Sequence, residues 1–210
     1  MCFLDDYTKV RDEVSVETDE TLMLAYQKGD VRAFEVLFSR YQREIYGYLY
    51  RNLAADQNKD EAFQEVFYRV IRSAPTYTVT AGFATWLYTI ARNYCIDLSR
   101  KRKLPMQNRL DTKESGAESD GIETIPDLKT NPHKEMGLKS LNEKLERALT
   151  LINPDQKEVF LLREKQGLSF EDIAQIVGVS QNTVKSRMRY AALALRDELK
   201  KMGVLDLEES

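Results

Sequence analysis

The sequence has few of the residues that hold metal ions or form disulfide bonds. Its 210 residues include two cysteines, Cys2 and Cys95, and one histidine, His133. A zinc site or a disulfide framework needs several such residues at close spacing. Neither a Ser/His/Asp set nor a pair of catalytic carboxylates can be assembled from the rest of the chain. We therefore expect no metal, no cofactor, no redox chemistry and no enzymatic activity.

Long apolar runs, strand-like alternation and glycine-rich phosphate loops are also missing. No apolar run approaches the roughly twenty residues of a membrane span. The N-terminus carries Asp5, Asp6 and Asp12 and lacks the basic-then-apolar order of a signal peptide. We therefore expect a cytoplasmic protein without membrane insertion. Because no stretch keeps a period of two, the chain is predicted to be all-α.

Apolar residues instead recur at helical spacing in two blocks. Residues 18–103 and 137–203 carry this pattern, whereas residues 1–17 and 204–210 are predicted to be tails. Between the blocks, residues 104–136 lose the period and contain many carboxylates with proline and glycine, which is typical of a flexible linker. A chain of this length with 42% hydrophobic residues can bury two small cores. We predict two small helical domains joined by a flexible acidic linker.

The most informative stretch is GLSFEDIAQIVGVSQNTVKSRMRYAALALRDELKK, residues 167–201. Ser169 is expected to cap one helix, Gly178 to end it at positive φ, and Ser180 to cap the next. The second helix begins with polar and cationic residues that suit phosphates and base edges in a DNA major groove. They are Ser180, Gln181, Asn182, Thr183, Lys185, Ser186, Arg187 and Arg189. The pattern predicts a four-helix domain with a DNA-binding helix-turn-helix, since packing alone leaves the cationic first turn unexplained.

A second candidate for nucleic-acid contact is FATWLYTIARNYCIDLSRKRK, residues 83–103. It sets Trp86 among hydrogen-bonding and cationic side chains, a mixture that suits single-stranded nucleic acid because unpaired bases stack on aromatic rings. The alternative is structural: Trp86 completes the core, and the basic run from Arg100 to Lys103 only complements the negative end of the helix. The residues alone do not decide between these two interpretations.

The overall charge predicts weak binding to free DNA. The net charge is −3 and the pI about 5.5, which is unusual for a protein that binds DNA unaided. Since contacts to phosphates supply most non-specific affinity, a chain with few cationic contacts and acidic flanks should hold free duplex weakly. We therefore expect a partner to supply the remaining affinity.

One possible partner surface is the outer face of the helix KDEAFQEVFYRVIRS, residues 59–73. Its polar side chains there are Asp60, Glu61, Gln64, Glu65 and Arg69, whereas Ile71 is expected on the buried face. Periodicity alone favours a face that is merely solvated over one that docks on a protein.

Together, these stretches resemble the bacterial sigma-70 family, and in particular its small extracytoplasmic-function (ECF) group. The resemblance is carried by DEAFQEVFYRVIR, FATWLYTIARNYCIDLSRKRK and INPDQKEVFLLREKQGLSFEDIAQIVGVSQNTVKSRMRYAALALR, in that order. It implies a transcription initiation factor that is not an enzyme. Such a factor binds the clamp coiled coil and the flap of core RNA polymerase, directs it to promoter DNA and is regulated by an anti-sigma factor.

The resemblance also implies a role for each candidate surface. The acidic helix would dock on the polymerase through Asp60, Glu61, Gln64 and Glu65. The helix-turn-helix would bind the minus-thirty-five duplex. The residues that would capture the melted minus-ten strand are Tyr77, Thr78, Phe83, Trp86, Arg92, Asn93, Arg100 and Lys101. The loop TYTVTAG, residues 76–82, matches no pattern that identifies the captured base, so the promoter sequence stays open.

An alternative function is a dimeric helix-turn-helix regulator that binds duplex operator DNA without polymerase. Its first domain would sense a ligand or a partner, and its second domain would dimerise. Such a regulator would protect DNA from cleavage in a footprinting experiment that contains no polymerase, whereas a sigma factor would not.

Overall fold

The computed structural model describes residues 17–103 and 132–204. Its α-helices are α1 (Asp19–Gln27), α2 (Val31–Asn52), α3 (Lys59–Ser73), α4 (Phe83–Lys103), α5 (Pro132–Leu151), α6 (Pro154–Glu164), α7 (Phe170–Val177) and α8 (Gln181–Lys201). A short 3₁₀ helix, Ala74–Thr76, follows α3. No strand occurs in the described ranges, so the all-α prediction is confirmed there.

The predicted tails and most of the predicted linker lie outside the described residues. Helix α5 nevertheless begins at Pro132, before the predicted end of the linker at residue 136. Proline is favoured at the first position of a helix because its φ is already helical and its missing N–H leaves no intrahelical bond unmade.

The predicted caps of the helix-turn-helix are confirmed. Ser169 Oγ accepts a hydrogen bond from the backbone N–H of Asp172, whose carboxylate accepts one from the Ser169 N–H, so the capping box is complete. Gly178 ends α7 with φ of 71°, a left-handed conformation that glycine adopts without a Cβ clash. Ser180 then caps α8. Each side-chain cap is worth about 1 kcal/mol.

We refer to α1–α4 as the first domain, which packs around the aromatic stripe of α2. The ring centroids of Phe38 and Phe67 lie 4.7 Å apart, edge to face, and those of Phe63 and Phe67 lie 4.9 Å apart. Leu37 and Leu49 of the same helix are fully buried in the same cluster. The prediction that the aromatic residues of α2 belong to the core is confirmed.

The second domain, α5–α8, shares its main core with the first domain. Val159, Leu162 and Ile173 belong to the same buried cluster as Tyr48 and Tyr88. A smaller cluster of its own, in which α5 and α6 pack on α8, contains Ala148, Leu149, Ile152, Leu161, Ala191 and Leu195. The two domains therefore contact each other directly. None of the helices in the described ranges is long and apolar enough to cross a membrane.

Candidate nucleic-acid interface

An aromatic cluster lies at the N-terminal end of α4, where the sequence predicts capture of a single strand. The rings of Tyr77 and Trp86 are 4.9 Å apart and those of Phe83 and Trp86 are 5.8 Å apart. Tyr77 is 4% exposed and Phe83 2% exposed, whereas Trp86 is partly exposed. Among these three predicted site residues, only Trp86 is partly exposed, and the buried rings of Tyr77 and Phe83 pack against it.

The hydroxyl group of Tyr77 is buried without a hydrogen-bond partner among the described residues. Burial raises the pKa of Tyr77, and the nearby carboxylates of Glu20 and Asp19 raise it further. The hydroxyl therefore stays protonated at neutral pH. A buried polar group without a hydrogen-bond partner typically costs about 1 to 3 kcal/mol of stability. A ligand or a loop movement that supplies a partner would therefore stabilise this cluster.

The loop between the 3₁₀ helix and α4 is fixed at its base and exposed at its tip. Gln27 Nε2 donates to the carbonyl oxygens of Ala74 and Tyr77, at 2.6 and 2.7 Å. Glu20 Oε1 accepts from the Phe83 N–H at 2.7 Å and thereby caps α4. Thr78, Val79 and Thr80 are exposed. The loop is thus anchored by α1, which the sequence pattern did not indicate.

Cationic and amide side chains follow the aromatic cluster along α4. The predicted site residues Asn93, Arg100 and Lys101 are exposed. Arg92 is only partly exposed, and its Nε donates to Glu158 Oε1 of α6 at 2.8 Å. Three of these four predicted phosphate or base contacts are therefore accessible, whereas Arg92 is already paired with a carboxylate of the second domain.

The acidic outer face of α3 is largely exposed, as predicted. Asp60, Glu61 and Gln64 are exposed, and Glu65 is half-buried because its carboxylate accepts from Arg69 Nε at 2.9 Å. Two apolar residues continue this face. Tyr68 is 58% exposed and Ile71 42% exposed. The expectation that Ile71 is buried was wrong, because the neighbouring helices cover the Val66 and Val70 side of α3 and not this edge.

The predicted recognition surface of α8 faces solvent. The exposed residues are Ser180, Gln181, Asn182, Thr183, Lys185, Ser186 and Arg189. Val184, between them, is fully buried and anchors the start of the helix. Arg187 is only partly exposed, because its Nη2 donates to the carboxylate of Asp155 at the start of α6. The spacing of residues within α8 does not predict this ion pair, because Asp155 lies on a different helix.

The two domains meet along one stripe of α4. Thr85 Oγ1 donates to Asp172 Oδ1 at 2.8 Å, and Tyr88 OH donates to Gln166 Oε1 at 2.5 Å. One turn further on lies the pair of Arg92 and Glu158. We call this surface the domain junction; it comprises Thr85, Tyr88 and Arg92 on α4, with Glu158, Gln166 and Asp172 on the second domain.

Glu158 is the central acceptor of the domain junction. Besides Arg92, it accepts a hydrogen bond of 3.3 Å from Tyr48 OH. Burial and the Glu158 carboxylate raise the pKa of Tyr48 well above its usual value. The adjacent Lys157 donates to the carbonyl oxygen of Arg51 at 2.7 Å, and burial lowers the pKa of Lys157. The domain junction is therefore held by both polar and apolar contacts.

The charge of Asp172 is stabilised in the same region. Partial burial favours its protonated form, but hydrogen bonds from Ser169 Oγ and Thr85 Oγ1 outweigh it and lower the pKa of Asp172. One carboxylate thus caps α7 and also joins the two domains.

Comparison with known proteins identifies the family. Residues 37–104 match the family described as Sigma-70 region 2, and residues 142–195 match Sigma-70, region 4. The ECF RNA polymerase sigma-E factor of Haemophilus influenzae is 37% identical over 180 residues, which cover 81% of this chain and 89% of that protein. The chain belongs to the ECF group of sigma-70 family sigma factors.

Other members of the family are similar over most of their length. The RNA polymerase sigma-H factor of Pseudomonas aeruginosa is 30% identical over 181 residues, covering 85% of this chain and 92% of that protein. The ECF RNA polymerase sigma-E factor of Escherichia coli K12 is 30% identical over 188 residues, which cover 87% of this chain and 94% of that protein.

Two solved structures share the fold of this chain. CnrH in complex with the cytosolic domain of CnrY superposes with a TM-score of 0.62 at 18% identity, covering 88% of this chain and 99% of CnrH. The sigma factor RpoE in complex with the anti-sigma factor NepR from Bartonella quintana superposes with a TM-score of 0.61 at 23% identity. The match covers 81% of this chain and 98% of RpoE. The two-domain helical fold is therefore the fold of this sigma factor family.

Proposed function

We propose that this sigma factor, a promoter-directing transcription initiation factor by its family, holds promoter DNA in two different states. The second domain binds the minus-thirty-five duplex through α8, and the first domain binds the melted minus-ten strand through the Trp86 cluster and the cations of α4. The alternative of a dimeric operator-binding regulator has no support among the similar proteins, which are sigma factors.

The observation that carries this proposal is the accessible ring of Trp86 with exposed Asn93, Arg100 and Lys101 further along the same helix. Stacking one unpaired base on an aromatic ring is worth about 1 to 3 kcal/mol, and extruding a base from the duplex costs a few kcal/mol. Stacking with cationic contacts to the backbone can therefore offset the cost of melting. No catalytic step is needed, so we propose that the protein acts by binding alone.

A supporting observation is the buried hydroxyl of Tyr77. It lies in the ring cluster under Trp86 and has no hydrogen-bond partner in the described part of the chain. A base or phosphate that enters from the exposed loop at Thr78 would supply one. We propose that this added hydrogen bond contributes to the preference for opened DNA over duplex.

Core RNA polymerase is the proposed partner, bound through the acidic face of α3 and its neighbours Tyr68 and Ile71. Two exposed apolar side chains beside three exposed polar ones match the mixed composition of protein interfaces. Since the net charge is −3, most of the affinity for promoter DNA must come from the assembled complex. We propose that the protein works in the cytoplasm and is regulated by an anti-sigma factor, as its solved relative RpoE is bound by NepR.

Run-off transcription tests the proposed function. Purified protein is added to bacterial core polymerase on a library of promoter fragments, and polymerase alone and protein alone serve as controls. Discrete transcripts that require both components support the proposal. Protection of duplex DNA by the protein alone, with no transcripts from the mixture, would favour the operator-binding alternative.

A further inference from the structure

Helix α1 carries none of the residues proposed to bind DNA, yet it holds the main chain at two points beside them. Gln27, its last residue, donates to two carbonyl oxygens at the base of the loop at residues 77–82, and Glu20, in its first turn, accepts from the first N–H of α4. These bonds cross 47 to 63 residues of the sequence. Because they are made to backbone groups, they fix the path of the main chain.

The contact of Gln27 leads to Trp86 through Tyr77. Both backbone polar groups of Tyr77 are bound, since its N–H donates to the Ala74 carbonyl oxygen at 3.1 Å and its carbonyl oxygen accepts from Gln27 Nε2 at 2.7 Å. The ring of Tyr77 packs edge to face against Trp86, with centroids 4.9 Å apart. A shift of the main chain at Tyr77 would move this ring and break the bond to Gln27.

The contact of Glu20 leads to Trp86 through Phe83. Phe83 begins α4, so no carbonyl group within the helix can accept from its N–H, and Glu20 Oε1 accepts from it at 2.7 Å. A carboxylate at this end also favours the start of the helix, because the helix dipole is positive there. The ring of Phe83 lies 5.8 Å from that of Trp86. Both contacts of α1 therefore reach a ring that packs against Trp86.

Helix α1 is itself fixed to the first domain. Asp19, its first residue, accepts hydrogen bonds from Arg40 Nη1 of α2 at 2.5 Å and from the hydroxyl group of Tyr41. Leu22 and Met23 are fully buried in the core that α1 shares with α2. The helix is thus anchored on one side by α2, and on the other side it holds the loop and the start of α4.

We propose that Gln27 and Glu20 are positioning residues for strand capture. They hold the main chain at Tyr77 and Phe83, so that the partly exposed ring of Trp86 has its binding orientation before the strand arrives. A site that is ordered in advance loses less conformational freedom on binding, and its affinity is higher for that reason. Neither residue needs to contact the strand. This inference rests on the proposed function, because it presumes that the Trp86 cluster binds the melted minus-ten strand.

Two substitutions of Gln27 test its part. Methionine keeps the length of the side chain and glutamate keeps its shape, but neither can donate to the two carbonyl oxygens at neutral pH. The complex with core polymerase is titrated with a fluorescent single-stranded oligonucleotide that spans the minus-ten segment of a promoter found by run-off transcription. For both variants, affinity for this strand should fall about tenfold, since two hydrogen bonds and the order of the loop are lost.

Affinity for core polymerase and the thermal midpoint are measured on the same proteins. Both should stay close to the wild-type values, because the acidic face of α3 is unchanged. Gln42→Met, at an exposed glutamine of α2, is the matched control and should bind the strand as the wild type does. A loss of strand affinity in Gln27→Met that is matched by an equal loss of polymerase affinity would show a general structural defect and overturn the positioning role.

A conservative pair tests Glu20. Glu20→Gln keeps an oxygen that can accept from the Phe83 N–H, whereas Glu20→Leu removes the acceptor. Glu20→Gln should therefore retain most of the strand affinity, and Glu20→Leu should lose it to about the same extent as Gln27→Met. Equal losses for the two variants would mean that the bond to Phe83 is not what matters, and would overturn the assignment of Glu20.

A double-variant cycle decides whether Gln27 acts through Trp86. Substitutions at residues linked by contacts are not additive, whereas those at independent sites are. In a Trp86→Ala background, Gln27→Met should lower strand affinity by less than about twofold, because the ring that it positions is gone. The same loss in both backgrounds would show that Gln27 acts elsewhere and would overturn the proposal.

Failure of this inference can be told apart from failure of the proposed function. If the wild-type complex binds the single strand no better than the same segment as duplex, the proposed function fails, and the positioning role fails with it. If the wild-type complex prefers the single strand and the Gln27 and Glu20 variants bind it equally well, the proposed function stands and only the positioning role is overturned.

Discussion

Arg187, the cation at the centre of the predicted recognition surface, is bound by Asp155 of a different helix. Its Nη2 donates to the Asp155 carboxylate across the space between α8 and the N-terminal end of α6. Asp155 itself is well exposed, so the pair lies at the protein surface, where ion pairs contribute little to stability. The contact therefore orients the arginine side chain more than it stabilises the domain.

Arg187→Ala should weaken promoter binding. If Arg187 contacts a base, we expect a loss of about 1 to 3 kcal/mol in binding free energy. That loss should be confined to promoters that carry the contacted base at one position of the minus-thirty-five element. Asp155→Ala should cost less, since it removes only the residue that orients Arg187. The measurement is the affinity of the polymerase complex for promoter fragments with single base changes. Arg196→Ala, at an exposed arginine near the other end of α8, is the control, and an equal loss there would refute the assignment.

Trp86→Ala should impair promoter opening more than polymerase binding. The substitution removes the accessible ring while leaving α3 untouched, so core affinity should stay within twofold. Permanganate reactivity of unpaired thymines reports opening, and fluorescence anisotropy reports the affinity for core polymerase. Trp86→Phe keeps a ring for stacking and should retain most of the opening activity. Equal losses in both assays would contradict a role in strand capture.

Glu65→Lys should have the reverse effect. It inverts a charge on the proposed docking face and breaks the ion pair of Glu65 with Arg69, whose second contact, to Asp97, remains. We expect the affinity for core polymerase to fall about tenfold or more. Glu35→Lys changes an exposed glutamate of α2, outside that face, by the same charge and should leave affinity unchanged. A similar loss for both variants would indicate a general electrostatic effect in place of local docking.

Stability at acidic pH should depend on Asp172. Hydrogen bonds lower the pKa of Asp172 in the folded protein. Its ionised carboxylate therefore contributes to the free energy of unfolding above the ordinary carboxyl pKa, near pH 4. This contribution is lost as the pH falls through the lowered pKa of the folded state. The thermal midpoint of Asp172→Asn should therefore fall less steeply than that of the wild type between about pH 5 and pH 3. Parallel curves for the two proteins would show that Asp172 titrates normally.

Cys95 should be nearly inert toward alkylation in the folded protein. Burial, with a smaller effect of the Glu158 carboxylate, raises the pKa of its thiol to about 12. The thiolate is the reactive form, so iodoacetamide at pH 8 should modify Cys95 more than about a hundredfold slower than an ordinary thiol. A Cys2→Ser variant isolates this residue, and the same variant unfolded in urea gives the reference rate. Equal rates in both conditions would mean that the thiol is exposed.

Local features of the fold were predictable from the sequence. Ser169, Gly178 and Ser180 fix the helix-turn-helix through hydrogen bonds and backbone angles that involve residues no more than four apart, so their spacing is visible in one chain segment. The aromatic stripe of α2 was recognisable for the same reason, because a buried helix face repeats with the helical period.

Contacts between distant segments were not predictable in this way. Glu20 caps α4 from 63 residues away, and Glu158 binds Arg92 across 66 residues. Periodicity gives the face of a helix on which a residue lies but not which partner covers that face, and this explains the error at Ile71. For the same reason, the sequence predicts Tyr77, Phe83 and Trp86 together as strand-capturing residues, although Tyr77 and Phe83 are buried in the structure and Trp86 is partly exposed.

The amide of Gln27 ties the conformation of the loop at residues 77–82 to helix α1. That helix lies outside the span of residues 37–104 that matches region 2 of the family. Under the proposed role of this loop in strand capture, we expect amino-acid changes in α1 to shift the loop and alter promoter choice while the proposed DNA-contacting side chains stay unchanged. We expect promoter preference to diverge between close relatives through this remote support as well as through the contact surface itself.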